Sequence, residues 1–187
     1  LFMERVENDG LWSMFCPNKC PELKDKWGYE FEKSYKKYES EGAYLKQVKA
    51  RYLWEKIYDT QRQIGQPFIC YKDAINRKSN QKNIGMINCS NLCLEITEHT
   101  SDKELASCNL ASISLDECVK NGIYDFEMLG QLTEELVENL NQIIDRNYYP
   151  STIPQIKYAN LKNRPMGIGV QSMADMYAKM DYCWESL

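Results

Sequence analysis

Histidine is almost absent from this sequence: His99 is the only one among 187 residues. A zinc site begun by Cys16 and Cys20 needs a second pair of ligands, and no Cys-x-x-Cys follows to supply it. Long apolar runs are also missing. Nothing approaches the roughly 20 residues that a membrane-spanning helix requires, and the first residues carry no signal-peptide pattern. An excess of basic charge is lacking too: 23 basic against 27 acidic residues leave a net charge of -4, with no basic stripe to follow a phosphate backbone. These absences point away from membranes and nucleic acids and toward a cytoplasmic protein. There is no internal repeat or low-complexity tract, and the cysteines lack the dense framework of a small secreted domain.

What is present reads as one folded domain. The hydrophobic share is 43% and the charged share 27%, ordinary values for a globular chain. The sequence opens at Leu1 without a methionine, which suits an internal segment of a longer protein. Eight cysteines run from Cys16 to Cys183, as expected of thiols in a reducing compartment, most of them small buried apolar side chains.

Local patterns outline the elements. Residues 1–22 read as a helix start followed by turns, and Trp27 to Gly42 as an amphipathic helix. Ala43 to Ile64 reads as a helix carrying Val48, Tyr52, Leu53, Ile57 and Tyr58, stopped by Gly65. Phe68 to Tyr71 has the short apolar form of a buried strand, and Asn76 to Asn83 the polarity of a solvated loop. Phe126 to Ile144 repeats apolar residues at helical intervals behind Asp125, a good N-cap. Met166 to Val170 reads as a strand leading into a helix over Gln171 to Met180. Gly167 and Gly169 do not complete a dinucleotide fingerprint, which lacks its third glycine and acidic partner here, and read as tight packing in a strand. The order of strands and helices predicts an α/β protein.

The segment with most chemistry is Cys89-Ser90-Asn91-Leu92-Cys93-Leu94-Glu95-Ile96. In an extended backbone Asn91, Cys93 and Glu95 share one face, while Leu92, Leu94 and Ile96 anchor the other. An orienting amide, a thiol able to carry a radical or act as a nucleophile, and a proton-moving carboxylate suit a site that activates hydroxyls. The same alternation also fits a half-buried edge strand in a non-catalytic, thiol-containing interaction module. A small zinc protein using Cys16, Cys20 and His99 is a third reading.

Wider blocks bear on this choice. Leu1-Phe2-Met3-Glu4-Arg5-Val6, Cys16-Pro17, Tyr71-Lys72-Asp73, Asn76-Arg77-Lys78-Ser79-Asn80, the segment from Cys89 to Ile96, Cys108-Asn109-Leu110-Ala111-Ser112 and Arg164-Pro165-Met166-Gly167-Ile168-Gly169-Val170-Gln171 stand in one order. In these blocks the sequence resembles the large, catalytic subunit of ribonucleotide reductases, over nearly its whole length. The resemblance implies residues 1–187 as the central part of a ten-stranded α/β barrel built of two antiparallel halves, with the radical cysteine on a finger loop. It implies that Cys93 becomes the thiyl radical that removes the ribose 3′ hydrogen. Glu95 would accept the 3′-hydroxyl proton, and Asn91 would bind the ribose hydroxyls. Cys108 would be one of two redox cysteines, its partner lying upstream of this segment, whereas Cys16, Cys20 and Cys89 would be structural.

The implied substrate is a ribonucleoside diphosphate, and the implied partners are a radical source, which the overall likeness favours as a metal-containing small subunit over adenosylcobalamin, and thioredoxin or glutaredoxin as reductant. A homodimer is implied for the full-length protein. No cofactor or metal is expected on this segment, and ATP and deoxynucleotide effectors would bind outside it. Counterparts of the family's ATP-binding domain, its later phosphate-binding loop and its C-terminal tyrosines and cysteines are not found. The segment alone is therefore expected to be inactive.

Overall fold

The computed structural model describes residues 1–186, gathered in two compact units, one of Leu1–His99 and one from Thr100 onward. In the first unit α1 (Phe2–Glu7) leads to β1 (Leu11–Met14), α2 (Gly28–Ser40), β2 (Lys46–Lys49), α3 (Ala50–Ile64) and α4 (Lys72–Lys78). β1 and β2 pair antiparallel, Leu11 opposite Lys49 and Met14 opposite Lys46. Val6, Cys20, Tyr35 and Ala50 are buried in this unit, as is Ile87.

Tyr35 ties α2 to β1. Its ring stacks on Trp12 at 4.5 Å between centroids, and its hydroxyl accepts from the Ser13 amide at 2.6 Å and donates to the Ser13 carbonyl at 3.0 Å. Both groups of a strand residue are thereby satisfied by a helix side chain, as burial demands. Beside it the Arg5 guanidinium donates through both terminal nitrogens to Glu39 at 2.6 Å. The Ser13 hydroxyl adds a bond to the same carboxylate at 2.5 Å. Arg5 holds the Glu39 carboxyl below the usual range, against the opposing effect of burial.

Three expectations change here. The stretch from Ala43 opens as strand β2 and turns helical only at Ala50, because Lys46 to Lys49 pair with a distant segment that local periodicity does not register. Tyr52 and Tyr58 face solvent, and the packed stripe of α3 is Ala50, Leu53, Trp54 and Ile57. The expected strand from Phe68 to Tyr71 is not formed: the four residues are exposed and have no strand partner among the described residues. A short apolar run becomes a strand only where a partner edge is available. Finally, Asn76 to Lys78 belong to α4 rather than to a solvated loop, and Asn76 is buried. Gly65 ends α3 in the left-handed conformation at φ 74°, as expected of a C-terminal glycine.

The second unit contains β3 (Leu110–Ser114), a 3-10 turn over Leu115–Cys118, β4 (Val119–Lys120), β5 (Ile123–Tyr124), α5 (Phe126–Arg146), α6 (Pro154–Asn163), β6 (Gly167–Gln171) and α7 (Met173–Lys179). β3 and β6 run parallel, Leu110 beside Gly167 and Ser114 beside Gln171. Parallel neighbours need a crossover, and α5 and α6 lie within it. β4 and β5 form a hairpin whose turn residues Asn121 and Gly122 both have positive φ, 52° and 75°, the twist-matched turn for adjacent strands. Asp125 caps α5 as expected, accepting from the Met128 amide at 2.9 Å. Leu140 and Ile144 of α5 are buried, while Val137 and Ile143 are exposed.

The strand and helix expected at Met166 to Met180 are β6 and α7. The tight packing expected at Gly169 is not found: a side chain there would meet only the Ala111 carbonyl at 4.0 Å, an ordinary contact. The mixed α/β class holds. Among the described residues the strands form three separate two-stranded sheets rather than a closed barrel.

Candidate functional site

The site begins with the end of α4. Asn76, buried on its inner face, donates from its carboxamide nitrogen to the Ile87 carbonyl at 2.9 Å and accepts from the Ile87 amide at 2.8 Å. The same nitrogen reaches the Lys72 carbonyl at 2.9 Å. The carboxamide thus acts as a strand partner for one residue, and Ile87 buries its side chain beside the helix. The chain then leaves as a loop and returns at His99. Gln81 accepts from the His99 amide at 2.7 Å, and the His99 Nδ1 lies 2.9 Å from the Met86 carbonyl. A carbonyl oxygen only accepts, so Nδ1 carries the proton.

Nearer the tip a second set of ties closes the loop. The Ser90 hydroxyl donates to the Ile96 carbonyl at 2.5 Å, and the Ile96 amide donates to Asn91 Oδ1 at 3.2 Å. Leu94 donates through its amide to the Asn91 carbonyl at 3.3 Å, making residues 91–94 a tight turn. Leu94 sits at φ 64°, a left-handed conformation that costs a branched residue about 1–2 kcal/mol. The flanking ties hold it there.

This geometry corrects the expected strand with one reactive and one buried face. Leu92 is 93% exposed, and Cys93 and Glu95 are exposed as well. Strict alternation fails because side chains around a turn fan outward instead of alternating about a plane. What survives is proximity along the chain: Asn91 and Cys93 stand on the turn and Glu95 directly after it, at the end of a loop tied at its base and near its tip. The Asn91 oxygen accepts from the Ile96 amide, which fixes the orientation of the side chain. Its nitrogen makes no hydrogen bond seen among the described residues, and Asn91 is half-buried.

Cys108 lies in the second unit, exposed, just before β3. Its neighbour Asn109 is buried and donates to Asn160 Oδ1 at 2.8 Å and to the Pro165 carbonyl at 3.0 Å, while the Asn109 carbonyl accepts from the Gly167 amide at 2.9 Å. The start of the strand is therefore fixed from both α6 and β6. Cys20 is buried and Cys16 half-buried in the turn before the Pro21–Leu23 segment. The backbone amides of Lys19 and Asn18 pull the Cys16 thiol below its ordinary range. Cys89, expected to be structural, is exposed. Among the described residues no three histidine, cysteine or acidic side chains come together as metal ligands.

The residues that hold the loop, Asn76, Gln81, Gly85 and His99, were not singled out from sequence as parts of the site. Polarity at Asn76 and Gln81 signals a loop as readily as a clasp. Only the placement of a partner far along the chain reveals the difference. A groove of 490 Å³ lies at the base of the loop, lined by Ala74, Ile75, Lys78, Ser79, Asn80 and Thr97.

Comparison with known proteins bears on this arrangement. The family model for the ribonucleotide reductase barrel domain matches residues 1–187. The chain belongs to this family. It is 50% identical over its whole length to a ribonucleoside-diphosphate reductase large subunit of Variola virus and 51% identical to that of Danio rerio. The ribonucleoside-diphosphate reductase large chain of Schizosaccharomyces pombe is 47% identical over 186 residues. The chain spans 24%, 23% and 23% of these three relatives, about a quarter of a reductase large subunit. Among the described residues of this reductase segment no helix is long and apolar enough to cross a membrane.

Proposed function

We propose that this chain supplies the radical-bearing loop of an enzyme that reduces ribonucleoside diphosphates to 2′-deoxyribonucleotides. The observation that carries the proposal is an exposed thiol, Cys93, on one turn with Asn91 and with Glu95 directly after that turn, in a chain about half identical to named reductase large subunits.

The chemistry follows from the residue types. Cys93, as a thiyl radical, takes the hydrogen atom from C3′ and becomes a thiol. Glu95 accepts the 3′-hydroxyl proton, and the amide of Asn91 donates to a ribose hydroxyl. The 2′-hydroxyl leaves as water. Two electrons and two protons come from Cys108 and a second cysteine, which end as a disulfide. Glu95 then returns its proton to the 3′ oxygen, and Cys93 returns its hydrogen to C3′ and recovers the radical. Thioredoxin or glutaredoxin reduces the disulfide, and a metal-containing small subunit supplies the radical. The working assembly is a homodimer of the large subunit in the cytoplasm, controlled by ATP and deoxynucleotides bound outside these residues. No second redox cysteine is assigned within the 187 residues, so they are not expected to turn over alone.

The test is Cys93→Ser in the full-length large subunit, assayed with its small subunit. Turnover should vanish while nucleotide binding stays within a few-fold of the parent. Normal turnover in this variant would end the proposal.

A further inference from the structure

Among the described residues, Gly85 and His99 are related more closely than any other glycine and side chain for which a contact is known. A Cβ built on Gly85 would lie 2.4 Å from His99 Cε1, 2.5 Å from Nδ1 and 2.9 Å from Nε2. The imidazole therefore occupies the volume that any other residue at 85 would need. The ring is held there by its Nδ1 bond to the Met86 carbonyl at 2.9 Å, and the His99 amide is held by Gln81 at 2.7 Å. These contacts close the base of the loop on both of its arms. Beyond that base, Ser90 and Asn91 are tied to Ile96.

We propose that the lone histidine, His99, is a positioning residue for Cys93: with Gly85 as its seat and Met86 and Gln81 as its anchors, it fixes the base of the loop and so the place of the sulfur at the tip. This rests on the proposed reductase reading of Cys93. Hydrogen-atom transfer requires the sulfur within contact distance of one carbon-bound hydrogen, so a shift of about 1 Å at the tip is enough to lower the rate by as much as 10²-fold. His99 does not touch the substrate in this scheme, and its donor proton is present in both the neutral and the protonated ring.

The experiment uses the full-length large subunit with its small subunit. His99→Leu removes the donor, His99→Asn keeps a donor near the Nδ1 position, and Gly85→Ala displaces the ring. Two quantities are read: kcat and KM for a ribonucleoside diphosphate, and the rate at which iodoacetamide labels Cys93, followed by peptide mass spectrometry. His99→Leu and Gly85→Ala should lower kcat by roughly tenfold to 10²-fold, leave KM within a few-fold, and change the labelling rate of Cys93. His99→Asn should recover most of kcat. If the leucine variant does not fold, Gln81→Met, which removes one anchor and leaves the ring, carries the same comparison. Parental kcat and labelling in the leucine and alanine variants would overturn the proposal, as would an asparagine variant no better than the leucine one. If Cys93→Ser keeps full turnover, the reductase reading of Cys93 fails separately, and the labelling rates still report whether His99 sets the loop.

Discussion

The carboxamide of Asn76 takes both hydrogen bonds of the Ile87 backbone, donating at 2.9 Å and accepting at 2.8 Å, so that a helix side chain replaces a strand at the foot of the loop carrying Cys93. Both residues are buried. Replacing Asn76 with Leu keeps the approximate volume and leaves a buried amide and a buried carbonyl without partners. The expected loss is about 2–4 kcal/mol of unfolding free energy, given the cost of each unsatisfied group. Urea unfolding of parent and variant measures it, and a change below about 0.5 kcal/mol, the scale of ordinary surface substitutions, would contradict the role given to this pair.

Acid should weaken the first unit through Glu39. Arg5 holds this carboxyl below its ordinary value of 4.5, so the folded state binds the proton less readily than the unfolded chain. The resulting stabilisation is present above the unfolded value and is lost as pH falls below it through the depressed folded one. Both side chains are mostly shielded, 17% exposed for Arg5 and 21% for Glu39. Glu39→Gln should cost about 1.5–3 kcal/mol near pH 7, the range for hydrogen bonds to charged groups. It should also lose part of the acid sensitivity, so thermal melts of the two proteins should converge as pH falls toward 3.

At the start of α5, Asp125 accepts from the Met128 amide at 2.9 Å and from Lys120 Nζ at 2.9 Å. Asp125→Ala removes the cap and should destabilise the protein by about 1 kcal/mol. Asp125→Asn keeps an acceptor and should recover most of that loss. Denaturant midpoints with an unchanged slope would separate the two.

Glu95→Gln tests the proton acceptor directly after the Cys93 turn. In the full-length enzyme the amide still forms hydrogen bonds but takes no proton, and general-base assistance is worth about 10²–10⁴-fold. Steady-state reduction of a ribonucleoside diphosphate should fall by an amount in that range. An unchanged rate across pH would remove Glu95 from the mechanism while leaving the role of Cys93 standing.

How far the fold could be read from sequence depended on the distance over which each element is decided. Helix α5 was legible because its cap and its apolar repeat lie within the element. The helix over Gly28–Ser40 was legible from its spacing alone, without a side-chain cap. Strands β1 and β2 were not, since Leu11–Met14 and Lys46–Lys49 are strands only by virtue of one another. Phe68 to Tyr71 failed in the opposite direction: it has a strand's composition and, among the described residues, no partner edge.

The site shows the same division. The sequence by itself determined which groups are available for chemistry: a thiol at 93, a carboxylate at 95 and an amide at 91, close along the chain whatever its conformation. It also determined family membership, because half of all positions match named reductases. Only the tertiary structure decided that these groups stand on or directly after a turn. The positive φ of Leu94 is set by the Ser90 and Asn91 ties to Ile96. The base of the loop is set by contacts of Asn76, Gln81 and His99 with residues many positions away. A residue's chemistry is local to its side chain. Its direction depends on backbone hydrogen bonds that form only when distant segments have met.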